Sequence, residues 1–183
     1  MARGRPSKKQ QLLDTARRVF AENGYQGTSI DLIVQEAGVS KPTVYNNFPT
    51  KQALLMALLE QLTAELEMTT SELLASDLDT SEAVIRGYLN IASQPEYLMI
   101  YRMLCGEHYK LDELTRSQIL SFDQGLQQRC LEGLQAAGIT SSERIMMFCR
   151  DQIIGQALKA LPNAELPDAS QLVVRLKALM GEG

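Results

Sequence analysis

The chain has 183 residues, a formal net charge of −4, 5% aromatic residues and no Trp. That length can bury a core, as one domain or as a small domain joined to a larger one, and the abundance of Leu, Ala, Met and Gln favours helices over sheets. No apolar run approaches the ~20 residues of a membrane span, the basic start MARGRPSKKQQ is followed by no apolar stretch of a secretory signal, and Cys105, Cys130 and Cys149 form no C-x-x-C pair, which points to free thiols in a reducing cytoplasm.

The first predicted helix follows from Leu12, Leu13, Ala16, Val19 and Phe20 at helical spacing, and the two glycines of ENGYQG end it. Thr28-Ser29-Ile30-Asp31 has capping-box form, with Thr28 as the expected N-cap. Ile30, Ile33, Val34 and Ala37 then mark one face of a two-turn helix that Gly38 stops. Ser40 caps the next short helix, and Pro42 is tolerated in its first turn, where the missing N–H has no helical partner anyway. Phe48-Pro49-Thr50 ends it and caps a long helix over about 50–75. Further helices are expected at about 80–93, 95–109 (opening on Ser93-x-x-Glu96 and Pro95), 111–137 (ending at Gly138), 141–161 (opening on Thr140-x-x-Glu143) and 168–181. The expected fold class is all-α with about nine helices.

Charge is unevenly distributed. Residues 1–51 carry eight Lys and Arg against four Asp and Glu, a net of +4; the remainder carries ten against eighteen, a net of −8. A basic head on an acidic body implies that the head alone meets a polyanion. The two short helices joined by Gly38-Val39-Ser40 have helix-turn-helix spacing over about 29–48. On a wheel of 100° per residue, Val44 and Phe48 face the core. Pro42, Thr43, Tyr45 and Asn46 face outward, with Lys41 and Asn47 at the edges. Asn can make a bidentate pair with adenine, Thr offers a hydroxyl and a methyl to thymine, and Tyr and Lys reach phosphates. Thr28 and Ser29 open the first of these helices, where free N–H groups favour a phosphate.

The stretch TSIDLIVQEAGVSKPTVYNNFPTKQALL, Thr28 to Leu55, resembles the DNA-binding signature of the TetR family of transcriptional regulators, and ARRVFAENGYQGTS upstream resembles that family's first helix and turn. The resemblance covers about residues 8–62. It implies phosphate contacts from Thr28 or Ser29, Tyr45 and Lys51, with Lys41, Pro42, Thr43 and Asn46 facing bases or backbone. Val34 stands where the family usually has Ala, Leu32 where a polar residue is usual, and Asn46-Asn47 where His or Tyr is common, so no operator sequence can be borrowed. The resemblance further implies a DNA-binding domain over 6–66 and a ligand-binding and dimerisation domain over 67–183. The expected function is a homodimeric, cytoplasmic, sequence-specific regulator, a repressor released from a pseudo-palindromic double-stranded operator by a small apolar or amphipathic effector. Arg3–Pro6, RGRP, is expected to act as a basic tail or as an arm entering the minor groove.

In the body, the 141–161 helix carries two apolar rows: Ile145, Phe148, Cys149, Ile153 and Ala157, and Met147, Ile154, Leu158 and Leu161. A helix apolar on two sides is buried on two sides. One row can face the chain's own core and the other a partner, or the helix can be central to a monomer core; the family resemblance implies a symmetric dimer interface from the last two helices, with Ile154, Leu158, Leu161, Leu172 and Leu176 expected there. Met99, Met103, Phe122, Met146 and Met147 are expected around a pliable ligand pocket, since Met adapts to varied ligands. No metal or other cofactor is expected, because the sole His, His108, has no second soft ligand at useful spacing. The absence of G-x-S-x-G, H-E-x-x-H and P-loop motifs argues against an enzyme. The rival readings are a DNA-architectural protein without a sensor and a redox-sensing regulator using a free Cys.

Overall fold

The computed structural model describes residues 7–159 and 166–180, and within them every side chain except those of Glu107, His108 and Met180. The expectations for Arg3–Pro6 and Leu161 lie outside the described residues. The fold class is all-α: no strand occurs among the described residues, and none of their helices is long and apolar enough to cross a membrane.

Helix α1, Lys8–Gly27, is capped by Ser7, whose Oγ accepts the Gln10 N–H. It bends at Gly24, where φ is +70°, a region that costs Gly no Cβ clash. Helices α2, Ile30–Ala37, and α3, Lys41–Asn47, follow. Gly38 at φ +60° closes α2 in the left-handed conformation typical of a helix C-terminus. Ser40 caps α3, and Thr50 caps α4, Lys51–Leu74. Leu12, Leu13, Ala16, Val19 and Phe20 of α1 meet Ile33 and Ala37 of α2, and Val44 and Phe48 at α3, in one core. The family departures at Leu32 and Val34 are half-buried against that core.

Helix α4 carries Leu54, Leu55, Leu58, Leu59, Leu62 and Leu66 on a broad buried stripe. It packs on α1 and also on α5, Thr80–Ala92, and α7, Glu113–Ala136. The domain boundary expected between 66 and 67 thus falls inside one continuous helix. Helix α6, Pro95–Arg102, packs on α1 and is shorter than expected. At Met103–Glu107 its backbone widens into a π turn, then tightens into a 3-10 turn at His108–Lys110. The expected Ser93 cap is not formed; the Ser93 hydroxyl donates to the Asn90 carbonyl instead. Asp112 caps α7, accepting the Thr115 N–H.

The rod after Gly138 begins as α8, Ser142–Cys149, passes through a π turn at Arg150–Gly155 and ends as α9, Gln156–Lys159. No side-chain cap opens α8, so the Thr140-x-x-Glu143 reading fails there. Helix α10, Ala169–Met180, packs on α5. Counted as one rod, α8 through α9 brings the total to nine helices among the described residues.

The π turn changes where the residues expected at a dimer interface sit within the chain. In a straight α-helix Ile154, seven residues after Met147, shares its face. Each i→i+5 bond spans more residues per turn, which turns the chain beyond it away from that phase. Ile154 consequently lies in the chain's own core, as do Leu172 and Leu176 of α10; Leu158 is half-buried against it. Leu172 and Leu176 face inward because α10 packs on α5, and the π turn that carries Ile154 packs on α5 as well.

One ion-pair network joins α1 to both long-range neighbours. The Arg17 guanidinium donates from Nη1 to Glu65 Oε2 of α4 and from Nε to Glu96 Oε1 of α6, each at 2.7 Å. The Glu96 side chain is largely buried, so losing its cation leaves a poorly solvated charge. Arg17→Met is expected to lower unfolding free energy by about 1–3 kcal/mol, between the surface and buried limits. Urea denaturation checks this: adding Glu96→Gln to Arg17→Met should recover part of the loss, and an unchanged midpoint in Arg17→Met would refute it.

Candidate nucleic-acid interface and body clefts

Helix α3 is seven residues long, and its phase follows from Val44 and Phe48 locking into the core. Pro42 and Asn46 are exposed, Tyr45 is 43% exposed, Thr43 is half-buried and Lys41 is exposed at the edge. The outward arc read from the helical wheel is therefore presented on one surface. Thr43 is held by its hydroxyl at 2.7 Å from the Ser40 hydroxyl. Asn47 donates to the Thr43 carbonyl at 2.8 Å, so it braces α3 from within.

Lys41 pairs with Asp31 of α2 at 2.7 Å, a tie across the two helices that keeps the ammonium above its usual range. Both partners are exposed, so a phosphate can share this lysine at small cost. A contact that the sequence did not suggest is Gln11 of α1, whose Nε2 donates to the Ala37 carbonyl at 2.8 Å. It satisfies the C-terminal end of α2 and fixes the pair of short helices on α1.

Two of the residues expected at phosphates, Thr28 and Lys51, have their polar ends engaged within the chain. Ser29, not Thr28, is the N-cap of α2, its Oγ accepting the Leu32 N–H at 3.1 Å. Thr28 is 2% exposed, and its hydroxyl donates to the Gly24 carbonyl at 2.8 Å, where it closes the bend of α1. The Lys51 ammonium turns inward and donates to the carbonyls of Tyr25 and Thr28, both at 2.9 Å, above the Tyr25 ring at 4.3 Å. It ties the start of α4 to the α1–α2 turn. Burial pushes the Tyr25 phenol up.

The expected ligand residues do not gather around one cavity. Met99, Met103 and Phe122 are core side chains, Phe122 stacking on Tyr97 at 5.9 Å. Met146 and Met147 do share a cleft of about 800 Å³ between α7 and α8, with Gln127, Leu131, Glu143 and Arg150 also on its walls. Met147 is 71% exposed. A second cleft, of about 500 Å³, lies between α8 and α10 and brings Met147 beside Phe148, Leu176 and Leu179. Leu179 is 67% exposed.

The sequence reading also missed a polar cluster. Asp123 sits on the buried stripe of α7 among Ile119, Phe122, Leu126 and Cys130. It accepts hydrogen bonds from Tyr101, Gln127 and Arg150. An acid on an otherwise apolar helix face was the available signal. Cys130 and Cys149 are buried, which pushes both thiols up to about 12, while Cys105 is exposed. The two buried thiols are therefore protonated near neutral pH, which disfavours them as redox sensors. No metal-binding group of His, Cys, Asp and Glu occurs among the described residues.

Residues 12–58 match the family model described as bacterial regulatory proteins, tetR family. The HTH-type transcriptional regulator RutR of Escherichia coli (strain K12) is 32% identical over 117 residues, which cover 60% of this chain and 54% of RutR. The chain thus spans about half the length of the curated relatives it matches. Among solved structures, a transcriptional regulator from Aquifex aeolicus VF5 superposes with TM-score 0.74 at 23% identity, over 94% of this chain and 99% of that one. FadR from Bacillus subtilis, solved in complex with stearoyl-CoA, superposes with TM-score 0.70 at 20% identity, over 95% and 98%. At these identities the likeness establishes the fold.

Proposed function

We propose, from the match of residues 12–58 to the model of the tetR family of bacterial regulatory proteins, that the protein is a sequence-specific transcriptional regulator, a repressor that acts as a homodimer and is released by a small-molecule effector. The observation that carries this reading is the outward arc of α3. Pro42, Tyr45 and Asn46 stand exposed on a helix whose phase Val44 and Phe48 fix in the core. Asn46 and Thr43 face bases, Tyr45 and Lys41 face the backbone, and Ser29 with the first N–H groups of α2 receives a phosphate. The residues before 67 form the head, and the remainder forms the body.

A second copy docks on the cleft between α8 and α10, where Met147 and Leu179 are the exposed apolar side chains. Two-fold pairing of such a face is self-complementary, so each copy brings the same residues. The paired heads then meet successive major grooves of a pseudo-palindromic operator. The effector binds in the body, as the stearoyl-CoA of FadR binds to that protein, and it must favour one head spacing over the other to change operator affinity.

The test is a footprint followed by titration of the protected sequence. Tyr45→Ala should weaken binding to all sequences, whereas Asn46→Ala should relax discrimination at one base pair by about 1–3 kcal/mol. Affinity should fall steeply with salt. A protein with no preferred sequence would support the architectural alternative. If Lys41, Tyr45 and Asn46 could all become Ala without loss of affinity, α3 would not be the reading helix.

A further inference from the structure

We propose that Asp31 is a specificity-determining residue of the reading head: its ion pair with Lys41 confines that ammonium to the place it takes when α3 is seated on its own sequence, and withholds it from arbitrary DNA. This deepens the regulator reading above and rests on it.

The pair of short helices that carries the outward arc is not itself basic. Between Ser29 and Phe48, Lys41 is the sole base, against Asp31 and Glu36, a net of −1. Neighbouring cations of the head are occupied inside the chain. Arg17 pairs with Glu65 and Glu96, Arg18 pairs with Glu22 and Glu36, and the Lys51 ammonium donates to two carbonyls. Lys41 is thus the one cation that the helix pair carries toward a phosphate, and its Nζ lies 2.7 Å from Asp31 Oδ1.

The helix ends explain why the two meet. Asp31 stands in the first turn of α2, where the positive end of the helix dipole favours a carboxylate. Lys41 is the first residue of α3, where the same effect disfavours a cation, and the first turn of α3 holds no acid of its own. The carboxylate of α2 supplies that countercharge. The pair adds little to folding, because both side chains are open to water, Asp31 at 73% and Lys41 at 50%. Its consequence lies in what the head binds.

An ammonium has three N–H donors, so Lys41 can hold Asp31 and a phosphate together. It does so where a phosphate comes to the edge of α3, as the docking of α3 on its own sequence requires. On other sequences α3 is not seated, and binding rests on phosphate contacts alone. There a lysine released from Asp31 would follow any phosphate on its flexible four-carbon stem. Asp31 holds it back, and the carboxylate's own charge adds repulsion. Arbitrary binding is therefore weakened more than operator binding.

The experiment is fluorescence anisotropy of the full chain with the duplex protected in the footprint and a scrambled duplex of the same length, between about 50 and 200 mM salt. Asp31→Asn is a near-isosteric change at an exposed site. It should tighten the scrambled duplex about tenfold at the lower salt and the operator about threefold or less, so that discrimination falls. The salt dependence on the scrambled duplex should steepen by about one for each head bound, since one more counterion is released. Asp31→Glu, which keeps the charge, should retain discrimination. Adding Lys41→Met to Asp31→Asn should abolish the gain on the scrambled duplex, which identifies the lysine as the group that Asp31 restrains. Equal tightening on both duplexes, weaker binding to both, an unchanged salt dependence, or a gain that survives Lys41→Met would each overturn the proposal while the regulator reading stands. A wild-type chain that prefers no duplex would overturn the regulator reading itself, and this proposal with it.

Discussion

Leu172→Glu should unfold the body, whereas Leu179→Glu should leave it folded and convert the protein to monomers. Both residues lie on α10, seven positions apart on the same helix face. Leu172 is fully buried, and Leu179 is 67% exposed at the far end of the stripe. A carboxylate at 172 has no cation beside it in the apolar packing against α5, and an unpaired buried charge costs several kcal/mol. Such a cost is a large fraction of the about 5–15 kcal/mol that holds a domain together. At 179 the same carboxylate stays in water in the single chain, and in the proposed dimer it would be desolvated at the interface. Met147→Glu, across the cleft, should behave like Leu179→Glu. Circular dichroism and sedimentation velocity read the two outcomes. A folded Leu172→Glu variant would contradict its placement in the core. A dimeric Leu179→Glu, Met147→Glu double variant would move the interface elsewhere.

Lys51→Met should destabilise the protein by about 2–3 kcal/mol in the absence of any DNA. The ammonium satisfies the carbonyls of Tyr25 and Thr28 and lies over the Tyr25 ring. Hydrogen bonds to a charged donor contribute about 1.5–3 kcal/mol, and the ring contact adds about 0.5–1 kcal/mol. The methylene stem is kept by Met, so the loss measures the ammonium. Chemical denaturation of the free protein is the appropriate reading. A lysine whose single role were to meet a phosphate would leave that midpoint unmoved and weaken operator binding alone.

The inward and outward faces of α3 were legible in the sequence because they depend on local geometry. Once Ser40 starts the helix and Phe48 ends it, 100° per residue determines which side chains oppose Val44. The helix order and most boundaries follow for the same reason, since Gly38, Thr50 and Gly138 act on their immediate neighbours. The cap of α2 was displaced by one residue, because Thr28 and Ser29 are both competent caps. Only the bend at Gly24, which swallows the Thr28 hydroxyl, decides between them.

What lay beyond the sequence is what depends on distant segments meeting. Lys51 reads as a surface cation until the α1–α2 turn, more than twenty residues earlier, brings two carbonyls to it. The second apolar row of the 141–161 segment reads as an exposed interface until the π turn at Arg150–Gly155 rotates Ile154 into the core. Asp123 reads as one charge among many until Tyr101 and Arg150, from two other helices, converge on it. Periodicity and capping are short-range properties, so the sequence by itself determined an all-helical chain with a basic helix-turn-helix head and an outward α3. Side-chain direction, burial of a charge and the phase of a long helix depend on packing between segments far apart in the chain, and those the tertiary structure alone decided.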